Sequence, residues 1–172
     1  MAASRRGFLA TALGAFAAVG LLAGMAEAST PPLAWAGAKR LHIMCNVAGG
    51  PGIDQAALGA QLCGEVKRLA LKGVPVPVDI ITLGDPAVLA ADAVTLLVHA
   101  SVARSGDSRL LAFTIRPYRV SDAQAAVLFG AAPRAVALEG AGVSGAAAAA
   151  AIDLALSEVL PWRSAARGQK LK

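Results

Sequence analysis

No catalytic or cofactor motif is spelled out in this sequence of 172 residues. There is no Gly-x-Gly-x-x-Gly, and no Lys-Ser or Lys-Thr pair follows the glycines of Gly49-Gly50-Pro51-Gly52. The two common phosphate-cradling loops are thereby excluded, and a tight strand-to-helix turn accounts for those glycines. The chain has only two cysteines, Cys45 and Cys63, and two histidines, His42 and His99. The cysteine spacing excludes a Cys-x-x-Cys redox site. Neither histidine stands in a motif with a Ser or Cys partner, so nothing here spells a catalytic triad. Beyond the first 28 or so residues no apolar run is long enough to span a bilayer. No internal repeat is visible.

What the chain does have is a recognisable opening. Arg5 and Arg6 form a charged start, followed by Phe8, Leu9 and a mildly apolar, Ala- and Gly-rich stretch to Met25. Ala26-Glu27-Ala28 then offers small residues at the two positions a signal peptidase reads. Charge, apolar core and small-residue cleavage site, in that order, describe a signal peptide. The pair Arg5-Arg6 before Phe8-Leu9 resembles the twin-arginine consensus, an address read by a receptor. Cleavage is expected after Ala28, with Ala36 as second choice; the competing reading is a retained amino-terminal anchor. No cysteine follows the apolar run, so the lipoprotein pattern is absent. Export by the twin-arginine route to the periplasm is the expectation.

The remainder is about one domain in size. Arg5, Arg6 and Glu27 belong to the leader, so the formal net charge of +5 falls to +4 outside it. Residues 29–39 carry Pro31 and Pro32 and read as a linker. Residues 163–172 hold Arg163, Arg167, Lys170 and Lys172 and read as a basic, disordered tail. The folded domain is expected over 40–162.

Within it, Leu41, Ile43, Cys45 and Val47 alternate with His42, Met44 and Asn46, the period of a half-buried strand. From about Ile53 to Lys72 the period changes. Leu58, Leu62, Val66 and Leu69 form one helical face, with Lys67, Arg68 and Lys72 in the last turns as a helix dipole favours. Gly73 and Pro75 supply the stop. Val76 to Leu83 is β-branched, with Pro77 suited to a strand start, and Ala87 to Ala91 predicts a short helical turn. Ala93 to Arg104 and Leu110 to Arg119 alternate on either side of the hairpin signal Ser105-Gly106-Asp107-Ser108. Ala125 to Leu138 is a further strand region broken by Gly130 and Pro133. Ser144 can cap a last helix over Ala146 to Leu160, with Ile152, Leu156, Val159 and Leu160 on its apolar stripe. The order β-α-β-β-β-β-α predicts an α+β two-layer sandwich. Four to five mostly antiparallel strands would carry two helices on one face and leave the other face wet.

Three groups of side chains are candidates for chemistry. His42 and His99 fall on the same predicted polar face and would hold a metal if their strands brought them together; otherwise they are exposed strand histidines. Cys45 faces the side the first helix covers, and Cys63 lies beside that helix's apolar stripe. A disulfide is geometrically open to them, as are two buried thiols. Arg104, Arg109, Arg116, Arg119 and Arg134 cluster along the hairpin and the strand after it. They read either as a polyanion patch or as charges that keep strand edges apart. Only Phe113 and Tyr118 lie near them to stack on bases, and the expected compartment argues against nucleic acid.

The hairpin Ala93–Arg104 and Leu110–Arg119, followed by the amphipathic helix Ala146–Leu160, is similar to a group of small envelope domains. These are the amino-terminal domain of TolB, the periplasmic domain of the curli secretion lipoprotein, and the auxiliary lipoproteins of lipid transport systems. The resemblance implies a binding or assembly module contacting another envelope protein, not an enzyme; no cofactor and no nucleic-acid partner are expected. The competing expectation is a small periplasmic metal-binding protein or enzyme using His42 and His99.

Overall fold

The structure, a computed structural model, describes residues 35–50, 52–105, 108–120, 130–138, 142–143 and 145–163. The leader residues Arg5, Arg6, Phe8, Leu9, Ala26 and Ala28 lie outside the described residues, as do residues 29–34 and 164–172.

Strand β1 (Arg40–Ala48) leads into helix α1 (Gln55–Ala70), β2 (Val78–Ile80), β3 (Ala93–Ser105), β4 (Ser108–Tyr118), β5 (Arg134–Ala137) and helix α2 (Ala146–Val159). A 3-10 turn, Pro86–Leu89, lies between β2 and β3. The class and element order are those the periodicities predict. The strands form one sheet in the order β2-β1-β3-β4-β5.

Strand direction departs from the expectation. β1 runs parallel to both β2 and β3, while β3–β4 and β4–β5 are antiparallel. The sheet is evenly mixed rather than mostly antiparallel. Side-chain alternation is the same in either direction, so the hydrophobic pattern carries no signal for it. The arrangement requires the chain to pass β1 between β2 and β3. On the way Asp85 accepts from the Ala87 N–H at 2.8 Å, and the 3-10 turn packs against β3. The passage ends where the Asp92 carbonyl accepts from the Lys39 N–H at 2.7 Å.

Both helices pack on one face. α1 lies against β1 and β2, α2 against β4 and β5, and the helices touch each other. Leu41, Ile43, Leu96, Val98, Leu111 and Ile115 from the sheet are fully buried against Leu62, Val66, Ile152 and Leu156 from the helices. Each such side chain contributes about 1.5–3 kcal/mol by leaving water. The opposite face is largely wet, with Asn46, His99, Ser101 and Arg116 exposed. It is dry at one end, however, where His42 and Thr95 are buried side by side in register.

Boundaries moved for local reasons. Asp54 is the N-cap of α1, accepting from the Ala57 N–H at 2.9 Å. Gly73 turns the chain with φ 75°, a conformation glycine adopts without the steric penalty of a Cβ. β2 is only three residues long, and the last sheet strand is confined to Arg134–Ala137, after Pro133. Residues 125–129, read as the start of that strand region, lie outside the described residues. α2 begins on Gly145 with no side-chain cap; Ser144, the expected cap, lies outside the described residues.

Two residues assigned to flanking segments belong to the domain. Arg163, read as the start of a tail, donates to the Leu69 carbonyl at 2.9 Å and pairs with Asp153 at 2.7 Å. Trp35, read as linker, sets its ring edge-on to Trp162 with centroids 5.1 Å apart.

Candidate functional site

The shortness of β2 leaves an opening in the sheet. Along β1, Leu41 and Ile43 direct their backbone groups toward β2: Leu41 N–H donates to the Pro77 carbonyl, and the Ile43 carbonyl accepts from Ile81 N–H, both at 2.9 Å. In a parallel strand alternate residues face the same neighbour. Cys45 and Val47 therefore turn their N–H and C=O groups to that same side, past the end of β2. No described backbone group bonds to them there. Among the described residues, a half-edge of β1 is open.

A cleft of about 440 Å³ runs beside this half-edge. Cys45 and Val47 form its strand wall, Gly59 and Ala60 its helix wall, and Ile80 and Leu83 its rim. The helix wall is low because its residues are small. A Cβ at Gly59 would sit 3.7 Å from the Val47 side chain, so larger residues would fill the cleft. Ile80 and Leu83 are 45% and 71% exposed, unusual for large apolar side chains and here adjacent. Among the described residues, none that lines the cleft is charged.

Cys45 and Cys63 are joined by a disulfide across this cleft, with Cα atoms 5.8 Å apart. The bond clamps β1 to α1 at the point where β1 loses its neighbour.

The histidines do not come together. In the β1–β3 register His42 stands opposite Thr95, and His99 opposite Asn46, four positions further along. Four positions are about 13 Å of strand, far beyond the span of two ligands on one ion. His99 is exposed and His42 is buried. The expected metal pair is corrected on this geometry: sharing a face is not sharing a site. Among the described residues no three His, Cys, Asp or Glu side chains gather as a metal-binding group. His42 Nδ1 and Thr95 Oγ1 have no hydrogen-bond partner in the described protein.

The arginine cluster divides. Arg134 pairs with Glu158, which also accepts from the Ala132 N–H at 2.9 Å. Arg119 donates to the carbonyls of Ala36 at 2.6 Å and Ala91 at 3.1 Å. Arg116 is exposed on the face away from the helices, while Arg104 and Arg109 stand opposite each other near the hairpin end. A single polyanion patch of five is not what the fold builds. The open half-edge was missed in the sequence; its only signal was Pro77 and the Gly84-Asp85-Pro86 turn closing on a short β-branched run.

These features define a class: a two-layer α+β domain with a mixed sheet and an open, disulfide-clamped strand edge. No known protein family matches the chain, and no curated protein does. Among solved structures it is similar to the PelC dodecamer from Paraburkholderia phytofirmans, at 15% identity and a TM-score of 0.44, over 72% of this chain and 90% of that one. A point variant of that PelC dodecamer gives 15% identity and a TM-score of 0.45 over the same shares. Likeness at this level carries no argument about function. No described helix is long and apolar enough to cross a membrane.

Proposed function

We propose that the chain is an exported, non-catalytic module of the cell envelope that holds another envelope protein by strand addition. The observation that carries the reading is the open half-edge at Cys45 and Val47. Unpaired strand backbone gives affinity to any extended segment laid beside it, and the adjoining cleft accepts alternate side chains. The uncharged lining favours a segment of small apolar and neutral polar residues. The disulfide supports the same reading, because it fixes the spacing between the edge and α1, and disulfides persist in oxidising compartments. The twin-arginine pattern at Arg5 and Arg6, with cleavage after Ala28, supplies the address: the periplasm.

The test places a photo-crosslinking residue at Ala60, on the exposed helix wall, or at Arg116, on the far face, in intact cells. One defined envelope protein is expected from position 60 and not from 116. Loss of that product is expected when Ile80→Lys puts a charge on the rim. No product from position 60, or the same products from both positions, would refute the reading.

A further inference from the structure

Among the described residues, one pair of like charges has no internal explanation. The β3–β4 register sets Arg104 directly opposite Arg109. Directly opposite side chains have Cβ atoms about 4.5–5.5 Å apart, and like charges there are destabilising. Both residues lie on the helix-bearing face, in line with Val102 and Leu111. Neither guanidinium meets a carboxylate among the described residues. By contrast, Arg40, Arg68, Arg134 and Arg163 are paired with Asp92, Glu65, Glu158 and Asp153. Arg109 is also half-buried, so its charge is partly stripped of water.

The two side chains line one cleft of about 320 Å³, closed by Gly50 and Ile53 from the β1–α1 loop and by Val102 and Ala103 from β3. The volume is at the low end of small-molecule sites. Asp54 shares a neighbouring cleft with Arg109, forms no ion pair with it, and is engaged in capping α1. Among the described residues, the walls of the first cleft are apolar except for two cations.

We infer that this cleft binds a phosphoryl group, gripped between the guanidiniums of Arg104 and Arg109. A phosphate monoester brings close to two negative charges and three free oxygens, enough to engage two planar forks at once. A carboxylate brings one charge and two oxygens, half the charge with which to offset two guanidiniums. Ile53, Val102 and Ala103 leave room for a small organic group on the ester oxygen. The bound anion removes the repulsion between the two arginines. The inference goes beyond the envelope role and does not rest on it, since it concerns the purified chain alone.

The test is titration of the purified chain, followed by amide NMR shifts and by the unfolding midpoint. The probes are inorganic phosphate, glycerol phosphate, acetate, and vesicles of phosphatidylcholine with or without phosphatidic acid. Saturable shifts at Gly50, Ile53 and Val102–Arg104 with phosphate or glycerol phosphate are expected, with acetate weaker. The unfolding midpoint should rise with ligand. Arg104→Gln and Arg109→Gln should each weaken binding about tenfold or more, while unliganded stability holds or rises as the repulsion is relieved. Arg116→Gln should change nothing. Binding only to vesicles containing phosphatidic acid assigns the phosphoryl group to a lipid headgroup; binding of the soluble esters assigns it to a small metabolite. Overturning results are no saturable shift with any phosphorylated probe, acetate binding as tightly as phosphate, or equal weakening by Arg116→Gln.

Discussion

Cys45 sits on the last stretch of β1 that lacks a neighbour on the β2 side, and its disulfide to Cys63 fixes that stretch to α1. The bond closes a loop of sequence separation 18. On loop-closure grounds such a link contributes about 3 kcal/mol by restricting the unfolded chain. Reduction, or Cys45→Ser with Cys63→Ser, is expected to lower the unfolding free energy by about 2–4 kcal/mol. Urea titration with and without dithiothreitol measures it, and mass spectrometry of the alkylated chain should find no free thiol before reduction.

Asp153 joins the carboxyl end of α1 to the segment after α2. Its carboxylate meets Arg163 at 2.7 Å and Lys72 at 3.4 Å. Burial pushes the group up, but the Arg163 hydrogen bond and the charges of Arg163 and Lys72 outweigh it, so the carboxyl titrates below its ordinary value. A carboxyl depressed in the folded state stabilises the fold above its unfolded value, and that contribution is lost as pH falls through the folded value. Asp153→Asn should therefore cost about 0.5–1 kcal/mol at neutral pH. The difference from the parent chain should vanish in acid, below the ordinary carboxylate range. Unfolding midpoints measured from pH 7 downward check both the sign and the window.

Glu158 is the tie between α2 and the β5 side of the sheet. One oxygen accepts from the Ala132 N–H, and the other pairs with Arg134, both side chains being mostly buried. Glu158→Ala would leave a guanidinium and an N–H without their acceptor, and should cost about 3 kcal/mol. Glu158→Gln keeps an acceptor for Ala132 and should cost less. Denaturant unfolding of the two variants ranks them.

Much of the fold was legible because it rests on periodicity. The alternation of Leu41, Ile43, Cys45 and Val47, the 3.6-residue stripe of Leu58, Leu62, Val66 and Leu69, and the hairpin around Gly106-Asp107 each set an element to within a few residues. Strand direction was not legible, since a strand shows the same alternation whichever way its neighbour runs. That is why the parallel placement of β2 and β3 about β1 escaped the reading. The burial of His42 escaped it for a related reason: alternation tells which face a residue is on, not which end of that face is covered. The candidate site depends on how far β2 extends, and three residues against eight is a matter of where Ile81 and Thr82 leave the sheet. The arginine pair was visible as composition only; that Arg104 faces Arg109 follows from a register the turn sets.

The hydrophobic core is expected to be intolerant where both layers meet. Leu96 on β3 and Leu156 on α2 are each fully buried. Leu96→Ala or Leu156→Ala should cost about 2–5 kcal/mol through lost transfer energy and the cavity left behind. Leu89→Ala, at 60% exposure, should change stability by less than about 0.5 kcal/mol.

The envelope role stands on the chain reaching the far side of the cytoplasmic membrane. The direct measurement is amino-terminal sequencing of the chain recovered from fractionated cells, beside a variant carrying Arg5→Lys and Arg6→Lys. The expected result is a shortened chain beginning at Ser29 in the periplasmic fraction, with the variant left unprocessed inside. An intact chain found in the cytosol, or a variant exported as well as its parent, would contradict the account.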